Sequence, residues 1–307
     1  ESIDMGRLNI RPGLRIEIFE QERIDRLNGS SYQDQTEAVI LPGFGMSANI
    51  YGMKFFGGVH RGYTPPSSGA LNIDMILVDY IDNGLDVLPE KSWNKEIGVR
   101  GRSNFIDFEV SGFHVDIENL IAAARATSFK NIGKVRTMGV ESRASIYLSK
   151  YFRLFPNINI VYSLLDTEVI EGVLSASLGK TDIAGNKLPY APRHTLIMGL
   201  ESGISEKIAF RFDSKYVSKV YTDFENIVES QNKGIQGVID PYTIFNLSVN
   251  YKINQKIDLF LSGKNITDKV YIGSRLHSNP LKKDPSVSSG IIPGARRQIN
   301  IGIEYKF

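Results

Sequence analysis

The sequence predicts an all-β chain, and more narrowly a transmembrane antiparallel β-barrel, on three observations. Apolar and polar side chains alternate with period two in segment after segment. The links between those segments are short and long by turns, and no stretch approaches the roughly 20 apolar residues that a membrane-spanning helix requires. The alternation is clearest at the end of the chain, where Ile299, Ile301, Ile303, Tyr305 and Phe307 are separated by Asn300, Gly302, Glu304 and Lys306. It recurs in Phe245, Leu247, Val249 and Tyr251 against Asn246, Ser248, Asn250 and Lys252, and in Ile257, Leu259 and Leu261 against Asp258, Ser262 and Lys264, with Phe260 as an exception. Near the start, Leu8, Ile10, Leu14, Ile16 and Ile18 oppose Asn9, Arg11, Arg15 and Glu17, and Pro12 falls on the apolar side, where proline suggests an edge or a bulge.

Taken in order, such runs give about 12 strands beginning near residues 7, 41, 52, 92, 104, 133, 155, 194, 206, 241, 255 and 295, with no convincing helix between them. Short links fall at 50–52, 101–104, 149–156, 202–206 and 253–256, and long links rich in Gly, Ser, Asn, Asp and Pro fall at 24–40, 64–91, 121–132, 173–193, 224–240 and 272–293. A sandwich has no reason to gather its long loops at one end, whereas an outer-membrane barrel has short periplasmic turns and long extracellular loops. A periplasmic carboxyl end puts every long link outside. A one-residue slip of the last strand would turn Glu304 and Lys306 toward lipid, at roughly 2–4 kcal/mol for a Lys at mid-bilayer, so register is well specified. One strand breaks parity: Phe108 and Val110 fall on one face and Phe113, Val115 and Ile117 on the other, which suggests a bulge near Ser111 and Gly112.

The 307 residues fit one barrel-sized unit. A net charge of +2 with 23% charged residues selects no partner class and gives no mark of nucleic-acid binding, and the absence of cysteine removes disulfides, thiolate nucleophiles and cysteine metal sites. Glu1, Ser2, Ile3 and Asp4 form no basic and apolar leader, so the chain is expected to begin inside a longer protein.

The segment GVHRGYTPPSSG at 58–69, followed by SWNKEIGVRG at 92–101, resembles the corresponding stretch of TonB-dependent outer-membrane receptors, particularly the ferric citrate and ferric siderophore group. FHVDIENLI at 113–121, GKVRTMGVES at 133–142, LPYAPRHT at 188–195, GKNITDKVY at 263–271 and the terminal GARRQINIGIEYKF match in order and spacing. The resemblance implies the C-terminal portion of a 22-stranded plugged barrel, with the plug domain and N-terminal barrel strands outside 1–307. It also implies a cell outer-membrane location, a ferric chelate as substrate, the protein's own plug and the TonB complex as partners, surrounding outer-membrane lipid, and no cofactor.

For ligand contact at the outer mouth, the expected residues are His60, Arg61 and Tyr63 after the third strand and Arg193 and His194 entering the eighth, with Arg275 and His277 as weaker loop candidates. Lumen-facing parity collects a basic wall of Arg11, Arg15, Arg100, Arg143 and Arg211, along with Glu17, Glu96, Glu141, Asp213, Asp258 and Glu304. Such a wall serves plug docking and solvation, or an electropositive route for an anionic chelate, since Arg offers carboxylates a bidentate fork. Tyr147, Tyr162, Tyr190, Tyr221, Tyr242, Tyr271 and Tyr305 lie near strand ends, as interfacial girdles require.

Other motifs carry less. His60, His114, His194 and His277 have no paired metal-ligand spacing, and the GFG at 43–45 lacks the third glycine and helix of a dinucleotide site. Carboxylate pairs such as Glu17 with Glu20, or Asp166 with Glu168, are joined to no nucleophile or base, so no enzyme is expected. Two other readings are weighed: a passive porin with an open lumen, and a soluble carbohydrate-binding β-sandwich whose apolar faces meet in a core.

Overall fold

A computed structural model describes residues 2–25, 30–66, 87–123, 129–152, 155–176, 179–276 and 290–306. The first half holds β1 (Ile3–Met5), β2 (Leu8–Asp25), β3 (Ser30–Ile50), β4 (Met53–Thr64), β5 (Glu90–Arg102), β6 (Ile106–Glu118), β7 (Ile121–Ala123), β8 (Phe129–Asn131) and β9 (Gly133–Ile146). The second half holds β10 (Asn157–Ala176), β11 (Gly179–Asp182), β12 (His194–Gly203), β13 (Ile208–Val217), β14 (Tyr242–Lys252), β15 (Ile257–Lys264), β16 (Ile272–Arg275), β17 (Ile291–Pro293) and β18 (Gln298–Tyr305). One antiparallel sheet of 14 strands runs in the order β1-β2-β3-β4-β5-β6-β9-β10-β12-β13-β14-β15-β18, with β11 added to the end of β10. The short members aside, these are the strands that alternation predicts, joined neighbour to neighbour.

Residues paired directly across an antiparallel ladder share a face, so register assigns sides without ambiguity. One row reads Ile10, Met46, Gly57, Ile97, Gly112, Val140, Leu164, His194 across eight strands. The adjacent row on the opposite face reads Arg11, Gly45, Gly58, Glu96, Phe113, Gly139 and Leu165. The first face is apolar yet uncovered: Ile18 and Ile97 are each 74% exposed, and Ile301 is 79% exposed. Among the described residues no second sheet lies against it, which removes the sandwich reading, because a sandwich would bury that face.

Two of the parity exceptions, Phe113 and Phe260, share one cause. β6 pairs with β5 and β9 in unbroken register, so the bulge expected at Ser111 and Gly112 does not exist, and Phe113, Val115 and Ile117 point to the polar face. There Phe113 lies over Gly139, where an added Cβ would meet the ring at 2.7 Å, and Phe260 lies in the same way over Gly302. An aromatic ring shielding a glycine on the neighbouring strand restores contact that the glycine lacks, which is why these residues depart from the alternation. Within the large sheet, among the described residues, the register shifts lie between Glu22 and Arg23 and between Val169 and Glu171. Pro12 follows the last residue paired to β1, on the open edge of β2, where its missing N–H costs no ladder bond.

The long links are less irregular than expected. The link at 24–40 is largely a two-stranded ribbon, since β2 and β3 remain paired out to Asp25↔Ser30. A ribbon standing in water satisfies its backbone by pairing and needs no apolar alternation, so its polar composition reads as loop. β10 with β11, β7 with β8 and β16 with β17 make shorter ribbons in three other long links. The buried core also lies at this end: Ile132, Val135, Val169 and Ile183 form one cluster, and Val217, Val220 and Ile239 another.

Candidate functional site

β3 pairs with β4 from Ile50↔Met53 only as far as Gly43↔His60, while β3 continues on β2 and β4 continues on β5 to Thr64↔Glu90. The sheet forks there, and the cleft between the prongs, about 410 Å³, is lined by Arg15, His60, Arg61 and Tyr63 together with Glu17 and Leu41. Three of the expected mouth residues and one of the expected wall arginines thus converge. The Arg61 guanidinium stands 6.0 Å from the centre of the Trp93 ring, a cation–π arrangement that holds it in place. Arg15 is ion-paired with Glu17.

Sequence reasoning missed Glu37 and Lys91. The Tyr63 hydroxyl donates to Glu37 Oε2 at 3.3 Å, and Lys91 Nζ donates to Glu37 Oε1 at 2.6 Å. Glu37 lies in the segment that reads as a link, 54 residues from Lys91, so only the ribbon pairing brings it to the cleft. Tyr63 and Lys91 are paired two rows beyond Lys95, outside the apolar band. Burial, reinforced by the charges of Glu37 and Glu17, pushes the Tyr63 hydroxyl up to about 12. The phenol therefore keeps its proton at physiological pH and acts as a hydrogen-bond donor. Arg15, Arg61 and Lys91 against Glu17 and Glu37 leave the cleft one formal positive charge, with Tyr63 and His60 as further polar groups.

Arg193 and His194 do not join this cleft. Register puts His194 opposite Leu164 on the apolar face, where its Nδ1 is 2.9 Å from the Tyr162 hydroxyl, and Arg193 lines a separate groove with Lys95 and Asp166. The five wall arginines all occupy the polar face, but each has local company. Arg143 pairs with Glu109 at 3.1 Å and Asp107 at 3.6 Å, Arg211 with Asp213 at 2.6 Å, and Arg11 donates to Asn9 at 3.0 Å. Glu109 sits between Arg100 and Arg143 in the ladder. The wall is self-neutralising, which weakens it as an electropositive route and suits it to solvation or docking.

Arg275, expected as a loop ligand residue, is instead a buried tie between loops. Its Nη1 donates to Gly234 O at 2.7 Å and its Nη2 to Val238 O at 2.8 Å, while its backbone N–H and carbonyl both meet the Tyr190 hydroxyl at 3.1 Å. His277 lies outside the described residues. A second tie, in the loop after β15, joins Asp268 to Arg296 at 2.5 Å. Hydrogen bonds from Arg296 and then the Arg297 N–H hold the Asp268 carboxyl well below the usual carboxylate range.

Residues 1–266 match the family described as TonB dependent receptor-like, beta-barrel. The chain belongs to the TonB-dependent receptor β-barrel family. Members of that family are outer-membrane receptors and transporters, so the uncovered apolar face is the lipid-facing wall and the polar face lines the lumen. The ferric citrate transporter FecA in its unliganded form superposes with a TM-score of 0.77 at 21% identity, over 100% of this chain and 44% of that one. The siderophore receptor PiuA from Acinetobacter baumannii gives 0.73 at 18% identity over 98% and 41%. The copper transporter OprC gives 0.73 at 13% identity over 99% and 45%. The chain thus spans less than half the length of these structures.

Proposed function

We propose that this chain is the C-terminal barrel portion of an outer-membrane receptor that takes up a ferric chelate, of the citrate or siderophore kind, by TonB-coupled transport through a plugged barrel. The cleft at the β3–β4 fork carries the reading. It stands at the end of the sheet that bears the long links and presents Arg15, Arg61 and a Tyr63 hydroxyl that stays protonated as a hydrogen-bond donor. That donor set fits the carboxylate or other anionic oxygens on the outside of a chelate whose iron is already liganded. Likeness to structures named for ferric citrate and siderophore transport supports the substrate class, and the copper transporter among them is the reason to test it directly.

The test is titration of the full-length receptor with ferric citrate and with a ferric siderophore. Saturable binding of either, weakened about tenfold in Arg15→Gln with Tyr63→Phe, is expected. No binding of either, with no iron-dependent growth defect on deletion of the gene, overturns the proposal. Steady ion conductance through the intact receptor would point to a passive pore instead.

A further inference from the structure

On the lipid-facing wall, apolar character stops along a sharp line. The row Ile97, Gly112, Val140, Leu164 is followed, one step toward the long-loop end, by Lys95, His114, Met138, Asp166, and then by Trp93, Asp116, Arg136, Glu168. A shallow groove of about 550 Å³ straddles the line; Ile97, Val140 and Leu164 form its floor, and Lys95, His114 and Arg193 line its outer part. Gly112 provides the notch, because a Cβ built there would meet nothing closer than the Gly139 carbonyl at 3.8 Å.

Charge at the rim is unbalanced in one direction. Asp116 is shared by three neighbours: His114 at 2.9 Å and Lys95 at 3.3 Å within hydrogen-bond reach, and Arg136 as a looser ion pair at 3.6 Å. Asp166 is already paired with Lys187 at 2.9 Å. Among the described residues Arg193 forms no ion pair, and Arg136 Nε is buried without a hydrogen-bond partner. Lys95, Arg136, Lys187 and Arg193 outnumber Asp116, Asp166 and Glu168, with His114 as a further donor, and the surplus lies where a lipid headgroup meets the wall.

We propose that this groove binds one outer-leaflet lipid bearing an anionic phosphate headgroup, with an acyl chain on the floor over Gly112 and the phosphate held by Lys95, Arg193 and Arg136. Only an amphipathic occupant fits a floor that faces hydrocarbon beneath a cationic rim. A headgroup with its own ammonium would oppose the surplus charge, so a phosphate without one is preferred. The inference rests on the outer-membrane reading above. Failure of that reading would appear as absence of the protein from the outer-membrane fraction, whereas failure of this one would appear as an inserted receptor without lipid preference.

The full-length receptor is placed in nanodiscs of phosphatidylcholine doped with phosphatidic acid of the same acyl chains, and co-purifying lipid is counted by native mass spectrometry. Wild type should retain phosphatidic acid in preference to phosphatidylcholine. Lys95→Gln with Arg193→Gln should cut that preference about twenty-five-fold, the product of roughly fivefold for each cation. Gly112→Leu, which the backbone has room for, should lower retention of phosphatidic acid by filling the notch. Heat-modifiable gel mobility, kept in all variants, shows that the barrel is intact. Absence of preference in wild type, or preference unchanged in either variant, overturns the assignment.

Discussion

The strand belt and the long-loop end handle apolar side chains in opposite ways. Along the belt Ile16, Ile97, Ile299, Ile301 and Ile303 are all more than three-fifths exposed, while at the loop end Val169 and Ile183 are fully buried and Val135 nearly so. A single sheet has no protein to cover one of its faces, so lipid must do it. The loops stand in water and have to build a protein core of their own. One chain thus meets two solvents, and the same residue types stabilise it through contact with lipid in one region and by leaving water in the other.

Substitutions that treat the two regions alike separate them. Ile183→Ala, in the loop core, should cost about 2–5 kcal/mol locally and show as lost hydrogen-exchange protection in the loops after β8 and β11, with the belt unchanged. Exposure throughout the belt instead would mean that the two regions are one cooperative unit. On the belt, Ile301→Arg should cost roughly 2–4 kcal/mol near the bilayer midplane, read as a lower urea midpoint for folding into vesicles, while Asn300→Arg, one residue away on the lumen face, should leave it nearly unmoved. Equal costs at the two positions would break the assignment of faces.

At the fork, the Arg15→Gln and Tyr63→Phe pair tests binding at about tenfold, near 1.4 kcal/mol, and should spare belt stability. The smallest effect is electrostatic. Asp268 is held ionised more readily in the fold than in an unfolded chain, so the Asp268–Arg296 tie contributes fully above about pH 4 and fades as pH falls from there toward the depressed native value. Hydrogen exchange in 265–271 should rise between neutral pH and pH 3 in the native receptor, after correction for intrinsic rates, and Arg296→Gln should remove that dependence. A pH-independent loop would show the tie to be without consequence.

Arg275 shows where reading the chain in one dimension stops. Its place in a polar link suggests a solvated ligand group, but two other loops close over it, and its guanidinium donates to Gly234 and Val238 while Tyr190 meets its backbone. Glu37 is the converse, a residue of an unremarkable polar link brought beside Tyr63 by a ribbon that the sequence gives no sign of. Phe113 and Phe260 follow the same logic on a smaller scale, since each departs from alternation to cover a glycine on a different strand.

What the sequence alone determines here is local and periodic: the all-β class, the long strands joined by links of alternating length, and the face that each side chain of the belt takes. Period two is a property of the extended backbone itself, so it is visible without knowing any partner strand. Only the tertiary structure decides where the sheet forks, which loops close into a core, and that His60, Arg61 and Tyr63 meet Arg15 while Arg193 and His194 lie away from that cleft. Those relations depend on register and on contacts between residues distant in the chain, and a change of register by one residue reverses the side on which every one of them appears.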